Sequence, residues 1–180
     1  TYGNPNLKPE KSMAYEIGVD QKINNQLTAY FSTYHTRIKN LIVTNYLGQN
    51  KSSFANIEKS EVNGGEIGFK WKEQDIFLTT EYAYADSKNK KTNNNIAYRP
   101  KQTFTLSTGL ENASYGVSAS VIARSDIYAD HANKVKVPGY ATVDLNMYWN
   151  INPNIKVFSN IQNIGDVEYK IADNFGDGWY

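Results

Sequence analysis

The sequence predicts an all-β fold, an antiparallel up-and-down transmembrane β-barrel, to which this chain contributes about eight strands. The first observation is a regular alternation of very short and rather long connections between strand-like segments. Short turns at one end and long loops at the other are typical of outer-membrane barrels, whereas a soluble sandwich has no reason to keep its short turns on one side. The other observations are the length of the strands and the position of large aromatic residues near the short turns.

The connections fall into two classes by length and composition. Asparagine and proline in the short ones suit tight turns, because asparagine tolerates positive φ and proline presets φ. The short turns are expected at Ile23-Asn24-Asn25, Glu73-Gln74, Glu111-Asn112-Ala113 and Asn152-Pro153-Asn154. The long polar loops are expected over 37–61, 86–101 and 125–138, and from Gly165 onward.

Eight segments alternate with a period of two, as a strand must if one of its faces meets an apolar medium. One set of alternate residues on each segment is apolar and uncharged. In chain order these sets are Tyr15, Ile17, Val19; Leu27, Ala29, Phe31; Ile67, Phe69, Trp71; Ile76, Leu78, Tyr82; Phe104, Leu106, Leu110; Tyr115, Val117, Ala119, Val121, Ala123; Ala141, Val143, Leu145, Met147, Trp149; and Ile155, Val157, Ile161.

The opposite faces of these segments are polar or charged. They carry Glu16, Asp20, Thr28, Ser32, Glu66, Lys70, Glu81, Thr103, Ser107, Ser118, Arg124, Asp144, Asn146, Lys156, Asn160 and Gln162. A soluble sandwich would show the same alternation with its apolar face turned inward, so a soluble β-domain stays open as an alternative. Gly64, Gly65 and Gly68 predict a bend, a bulge or a place where interior side chains must be small.

Strand length and aromatic placement favour the membrane barrel. Several segments run for ten or more residues, near the length that a tilted strand needs to cross the hydrocarbon, whereas about five or six is usual in soluble sheets. Trp71, Tyr115 and Trp149 lie on the apolar faces within a few residues of short turns. We therefore expect them to form a periplasmic aromatic girdle at the level of the lipid headgroups.

Composition excludes several classes of function. The 180 residues carry 19 basic and 18 acidic side chains, a net charge of +1, so no overall field favours nucleic acid. The absence of cysteine excludes disulfides, thiolate chemistry and cysteine-ligated metals. The mean hydropathy is -0.60, which does not exclude a barrel that is apolar only on alternate residues. Because the chain begins at Thr1 without a signal peptide, we expect part of a longer mature protein.

The first strand is preceded by a stretch that comprises Asn4, Pro5, Asn6, Leu7, Lys8, Pro9 and Glu10. This signature and two other stretches resemble the C-terminal barrel of TonB-dependent outer-membrane receptors. The second, with Asn163, Asp166 and Tyr169, is similar to the penultimate-strand motif of that family, although Gly165 stands where the family has an aromatic residue. Residues 61–66 resemble a strand start of the family. The three stretches lie in the order of the family and together bracket nearly the whole chain.

The resemblance implies that residues 1–180 are the C-terminal part of a 22-stranded barrel, with the plug domain and the final strand outside the chain. It implies a receptor in the lipid of the bacterial outer membrane. Such a receptor would bind a large scarce nutrient and import it with energy from the TonB complex, which acts through the plug. Within the family the chain is most like cobalamin (vitamin B12) receptors, and haem or iron-siderophore receptors are the alternatives. A plug-less structural or adhesive barrel is the alternative from another class.

No enzyme is expected, because no catalytic constellation is present. The chain has two histidines, of which His35 lies on a strand and His131 in a loop. His131 with Asp126 and Asp130 could hold a metal ion, since imidazole and carboxylate suit several divalent ions. One histidine and two flexible acids make an under-coordinated site, so we expect neither a metal nor a cofactor.

For ligand capture, the candidates are loop residues that can stack or donate hydrogen bonds, because a large ligand of low charge is held by aromatic area and a few polar groups. These candidates are Tyr46, Tyr98, Arg99, Arg124 and Tyr128. Tyrosines near a barrel rim can equally serve as interface anchors. The interior charges either line a solute path or, as we expect, bond one another and the plug; they are Glu16, Asp20, Glu66, Lys70, Glu81, Asp144 and Lys156.

Overall fold

Eight strands form one antiparallel sheet in residues 3–48 and 51–170, the part of the chain that this computed structural model describes. With a separate two-stranded pair, the described residues contain ten strands. They are β1 Lys11–Lys22, β2 Leu27–Gly48, β3 Lys51–Glu73, β4 Ile76–Asn89, β5 Gln102–Glu111, β6 Tyr115–Arg124, β7 Ile127–Tyr128, β8 Lys136–Val137, β9 Tyr140–Asn152 and β10 Ile155–Ile161. The sheet order is β1-β2-β3-β4-β5-β6-β9-β10, and β7 pairs only with β8. The predicted all-β, up-and-down arrangement is therefore confirmed. Within the described residues there is no helix long and apolar enough to cross a membrane.

Asparagine side chains close three of the four short turns, which lie where the sequence predicts them. The Oδ1 atom of Asn24 accepts hydrogen bonds from the backbone N–H groups two and three residues later, both at 2.8 Å. Asn112 and Asn152 accept similar bonds after β5 and β9. In the fourth turn Gln74 has a φ of 52°. Because successive strands run in opposite directions, all four turns lie at one end of the sheet, which we call the short-turn end.

The predicted loop over 37–61 is wrong, because these residues extend β2 and β3 into a long hairpin. The pairing runs from Leu27 opposite Trp71 to Gly48 opposite Lys51. A hydrogen-bonded ladder needs only backbone groups, so it continues where the apolar period of the sequence stops. The second long connection is shorter than expected for the same reason, since β4 runs to Asn89, whereas the third lies where the sequence predicts it and contains β7 and β8.

The sheet has an apolar face and a polar face, and we keep these names below. Val19, Phe31, Ile67, Tyr82 and Phe104 are successive partners across β1 to β5 on the apolar face. These residues are exposed, and Val19 and Phe31 keep 58% and 51% of their surface accessible. No described element covers this face. A contiguous apolar surface of this extent suits contact with lipid and not the inner layer of a sandwich.

The buried apolar side chains gather at the opposite end from the short turns, which we call the long-connection end. They are Leu41, Ile96, Ala97, Ala129 and Val137. They come from the β2–β3 hairpin and from the two connections that follow β4 and β6. The connections at this end are therefore packed against the hairpin and not extended into solvent.

Candidate functional site

The two long connections, residues 90–101 and 125–139, are joined to each other, and we call them the loop cluster. The Oδ1 atom of Asn133 accepts the backbone N–H of Asn95 at 2.6 Å, and its Nδ2 atom donates to the carbonyl of Asn95 at 3.0 Å. An asparagine carboxamide carries the same donor and acceptor pair as a peptide group, so it can pair with a backbone as a strand would. One side chain thus bonds the two connections to each other at two points.

His131 ties the loop cluster to the β2–β3 hairpin. Its Nε2 atom lies 2.9 Å from the carbonyl oxygen of Thr44. A carbonyl can only accept, so Nε2 must carry the proton in this contact. The carbonyl of His131 in turn accepts a bond from Nδ2 of Asn94 at 2.9 Å. His131 therefore joins the loop cluster to the hairpin and also the two connections to each other.

The residues proposed as possible metal ligands have protein partners. The carboxylate of Asp130 accepts three backbone N–H groups within the next five residues, at 2.7 to 3.1 Å. Asp126 lies 3.0 Å from the Nζ atom of Lys136, and this hydrogen bond holds the pKa of Lys136 above its ordinary value. Within the described residues, no group of three or more histidine, cysteine, aspartate or glutamate side chains could hold a metal ion. These acids shape the connection instead.

Three of the ligand-contact candidates meet in the loop cluster. The backbone N–H of Tyr98 donates to the carbonyl of Tyr128 at 2.8 Å. Tyr98 has a φ of 61°, a left-handed conformation that is uncommon for a bulky residue and marks a constrained position. Both tyrosines are half-buried, whereas the neighbouring Arg99 is exposed. The side chain of Tyr46 lies outside the described residues.

Arg124 belongs to a separate cluster at the end of β6. Its Nη1 atom donates to the hydroxyl of Tyr140 at 3.2 Å. The ring of Tyr140 stacks on that of Tyr169, with centroids 4.0 Å apart and planes at 14°. Sequence reasoning missed Tyr140, because only the pairing of β6 with β9 places it opposite Arg124.

On the polar face, three tyrosine rings lie over glycines of a neighbouring strand. A Cβ atom at each of these glycines would run into the ring. The pairs are Tyr30 with Gly68, Tyr34 with Gly64, and Tyr148 with Gly116. The register passes through the β3 glycines without a break, so they form no bulge. The sequence predicts a bend, a bulge or a need for small side chains at these glycines. The need for a small side chain is what applies at Gly64 and Gly68.

Charged groups on the polar face surround these tyrosines. The hydroxyl of Tyr30 donates to Oε2 of Glu81. The Nζ atom of Lys70 lies 5.6 Å from the centroid of the Tyr30 ring, and that of Lys156 lies 4.5 Å from the Tyr148 ring. At these distances a lysine is attracted to the face of the ring.

The remaining interior charges lie on the same face. Glu16 and Asp20 are the register partners of Tyr34 and Tyr30, and Glu66 is the partner of Ser32. Asp144 accepts the backbone N–H of Asn163 at 2.8 Å. The polar face is therefore a layer of tyrosine rings and charges suited to meeting other polar protein.

The N-terminal signature is held by the β2–β3 hairpin. The carboxamide of Asn56 accepts the backbone N–H of Lys8 at 2.9 Å and donates to its carbonyl at 3.1 Å. Asn4 donates to the carbonyl of Phe54 at 2.8 Å, and Glu10 accepts a backbone N–H of β2 at 3.1 Å. In this structure the signature guides the chain into β1.

The second motif forms a turn after β10. The carboxamide of Asn163 bonds both backbone groups of Val167, each at 3.0 Å. The backbone N–H of Asp166 donates to the carbonyl of Asn163 at 2.9 Å. Tyr169 follows this turn and reaches the stack on Tyr140. The motif residues thus shape the chain near the end of the sheet.

The aromatic residues predicted to form a girdle lie on the apolar face near the short-turn end. Tyr115 and Trp149 are register partners, and 49% and 59% of their surfaces are exposed. Trp71 lies opposite Leu27 and Leu78, which flank two other short turns.

The chain matches the family model described as TonB dependent receptor-like, beta-barrel, over residues 1–164. It is 27% identical over 180 residues to the vitamin B12 transporter BtuB of Photobacterium profundum, covering 96% of this chain and 29% of that protein. It is 28% identical over 185 residues to a probable TonB-dependent siderophore receptor, PiuA, of Acinetobacter baumannii, covering 92% of this chain and 24% of the relative. The chain thus spans less than a third of the length of these relatives.

Solved structures show the same fold. The copper transporter OprC superposes with a TM-score of 0.76 at 19% identity, covering 96% of this chain and 28% of that one. The siderophore receptor PiuA from Acinetobacter baumannii superposes with a TM-score of 0.71 at 25% identity, covering 91% and 26%. The eight-stranded sheet is therefore a partial barrel wall.

Proposed function

Because the chain belongs to the family of TonB-dependent receptor-like β-barrels, we propose that it forms part of an outer-membrane receptor for a large scarce nutrient, with cobalamin the first candidate. The observation that carries the proposal is the similarity to a vitamin B12 transporter along 96% of this chain. A siderophore receptor is the second candidate, because the similarity to PiuA is of equal strength. Haem is the third, on the resemblance of the signature alone.

In this proposal residues 1–180 are the C-terminal part of a 22-stranded barrel whose plug domain lies elsewhere in the protein. The polar face turns inward and meets the plug. Tyrosine rings laid flat over glycines give this wall a smooth surface, and the charges beside them supply hydrogen bonds to a docked domain. The TonB complex would then act on the plug to open a path along this wall.

The long-connection end faces the outside of the cell and captures the ligand. The braced loop cluster presents Tyr98, Arg99 and Tyr128 at this end. A cluster fixed in advance loses little conformational entropy when a ligand binds, which favours tight capture of a dilute nutrient. The short-turn end, with its aromatic girdle, faces the periplasm.

Calorimetry on the full-length protein in detergent tests the ligand. We expect cyanocobalamin to bind in the nanomolar range, and haemin and a ferric siderophore not to bind. Tyr128→Ala should weaken cobalamin binding, whereas Tyr115→Ala, an exposed tyrosine at the other end, should leave it unchanged. Binding of only the siderophore or only haemin would replace cobalamin as the nutrient.

Membrane location has its own test. The protein should fractionate with the outer membrane, and its folded form should run differently from its boiled form in electrophoresis. Trp149 should be quenched more by lipid brominated near the headgroup than by lipid brominated near the end of the acyl chain, in a variant that lacks the other tryptophans. Recovery of the folded protein without detergent would contradict the location and favour a soluble β-domain.

A further inference from the structure

The apolar face carries an open groove across β1 to β4, with a volume of about 1050 Å³. Its floor is the register pair Thr33 and Gly65, two small residues where the neighbouring pairs are large. Its walls are formed by larger side chains, among them Ile17, Phe31, Ile67, Tyr82 and Tyr84. A shallow apolar slot of this shape, on a face that meets lipid, fits a hydrocarbon chain.

A polar network lies at the end of the groove that is nearer the long-connection end. The Nδ1 atom of His35 lies 2.6 Å from Oδ1 of Asn63, and Nε2 of His35 accepts a bond from Nε of Arg37 at 3.0 Å. These partners place the imidazole proton on Nδ1. The network orders Arg37, whose side chain is still 66% exposed. The cation of Arg37 is therefore held beside His35, which lines the groove.

Three lysines lie on the same face, at the next register position after Arg37. Lys11, Lys39 and Lys59 are register partners across β1, β2 and β3, and all three are exposed. Within residues 3–48 and 51–170 none of them forms an ion pair. Like charges directly opposite each other on a sheet destabilise it. This lysine row therefore costs stability unless an anion lies across it.

The two acids beside the network on the same face, Glu61 and Asp86, are already engaged by basic residues, and Glu10, next to Lys11, accepts a backbone N–H of β2. Glu61 lies 3.0 Å from Lys90 and 3.7 Å from Arg37. The carboxylate of Asp86 lies 2.9 Å from the Nζ atom of Lys101 and 3.2 Å from that of Lys88. The region keeps an excess of positive charge although the whole chain has a net charge of only +1.

We propose that the groove and the lysine row bind one phosphorylated lipid of the outer leaflet, with an acyl chain over Thr33 and Gly65 and phosphate against the lysines. Along β2 the apolar face changes from Phe31 through Thr33 to Arg37 and Lys39, the same order as in a lipid from chain to charged headgroup. The site lies on the outside of the wall, away from the nutrient, and it rests on the proposed outer-membrane location.

Binding of diphosphoryl lipid A by the full-length protein in detergent micelles tests the proposal. The triple variant Lys11→Gln/Lys39→Gln/Lys59→Gln should bind about a hundredfold more weakly, roughly fivefold for each lysine. Its thermal midpoint without lipid should not fall, because the removed charges repel one another. The single Lys39→Gln variant should show about one fivefold step, and it serves if the triple variant does not fold.

Matched controls separate charge, groove and bulk effects. A control triple of exposed lysines outside the row, Lys22→Gln/Lys91→Gln/Lys134→Gln, should bind lipid as the original does. Thr33→Phe, which fills the groove, should weaken binding, whereas Thr80→Phe on the same face should not.

The proposal is overturned if the triple-lysine variant binds lipid A as strongly as the original protein does. It is also overturned if inorganic phosphate, at the same phosphate concentration, raises the thermal midpoint as much as lipid A does. Cobalamin binding and membrane fractionation are measured on the same samples. Failure of those assays, with lysine-dependent lipid binding intact, would count against the proposed nutrient or location and not against the lipid site.

Discussion

Replacing Gly68 by alanine would place a methyl group in the ring of Tyr30, and we expect it to destabilise the barrel wall. The added Cβ would lie far inside van der Waals contact with several ring atoms. Relief requires the ring to move off the buried glycine, which also breaks its hydrogen bond to Glu81. Overpacking of this kind costs about 1–3 kcal/mol. With the lost bond to a half-buried carboxylate, we expect the free energy of unfolding to fall by about 2–4 kcal/mol.

Gly18→Ala is the matched control on the same face. Its added Cβ would meet its nearest neighbour, the Cβ of Ser32, at 3.4 Å, which is ordinary contact. We expect a change within about 0.5 kcal/mol. In the double variant Gly68→Ala/Tyr30→Ala the overlap is gone, so the loss should be smaller than the sum of the two single losses by about 1 kcal/mol or more.

Urea unfolding of the full-length protein in lipid vesicles, followed by tryptophan fluorescence, measures these free energies. The reasoning is refuted if Gly68→Ala is as benign as Gly18→Ala. It is also refuted if the double variant is additive, because the ring and the glycine would then not be in contact.

Hydrogen exchange read by mass spectrometry checks the remaining predictions, which concern segments held by single side chains. Asn133→Ala removes two of the hydrogen bonds between the long connections, those to the backbone of Asn95, so amides in 90–101 should exchange about fivefold faster or more; unchanged rates would show that the remaining bonds hold the connections together. Asp130→Ala leaves three backbone N–H groups without their acceptor and should speed exchange in the turn that follows, more than Asp130→Asn, which keeps an acceptor oxygen; equal effects would exclude the acceptor role. Asn56→Ala removes both bonds to Lys8, so amides in 4–10 should exchange faster while the short-turn end stays protected, and unchanged protection of 4–10 would show that Asn56 does not hold this segment.

Much of the wall could be predicted from local pattern. The apolar sets and the asparagine turns are local features, because side-chain alternation and turn chemistry depend on a few adjacent residues. The predicted resemblance to TonB-dependent receptors is confirmed by the family model over residues 1–164. The hairpin over 37–61 was missed because its ladder extends beyond the apolar band, where no period marks it.

The candidate site was predicted less well, since its contacts join distant parts of the chain. Nothing near Asn133 in the sequence points to Asn95, and nothing near Tyr140 points to Arg124. The roles of Tyr98, Arg99 and Tyr128 in ligand capture stay predictions.

The fold class, the family and the face of each strand can be predicted from the amino-acid sequence, because motifs and alternation within a strand are local properties of the chain. Which residues meet across strands depends on the way distant segments pair in the folded wall. Register placed tyrosine rings over Gly64, Gly68 and Gly116, and it aligned Lys11, Lys39 and Lys59 into one row. The physical reason is that cross-strand partners are set by hydrogen bonding between segments far apart in the chain, and a slip of one residue would turn every side chain to the other face.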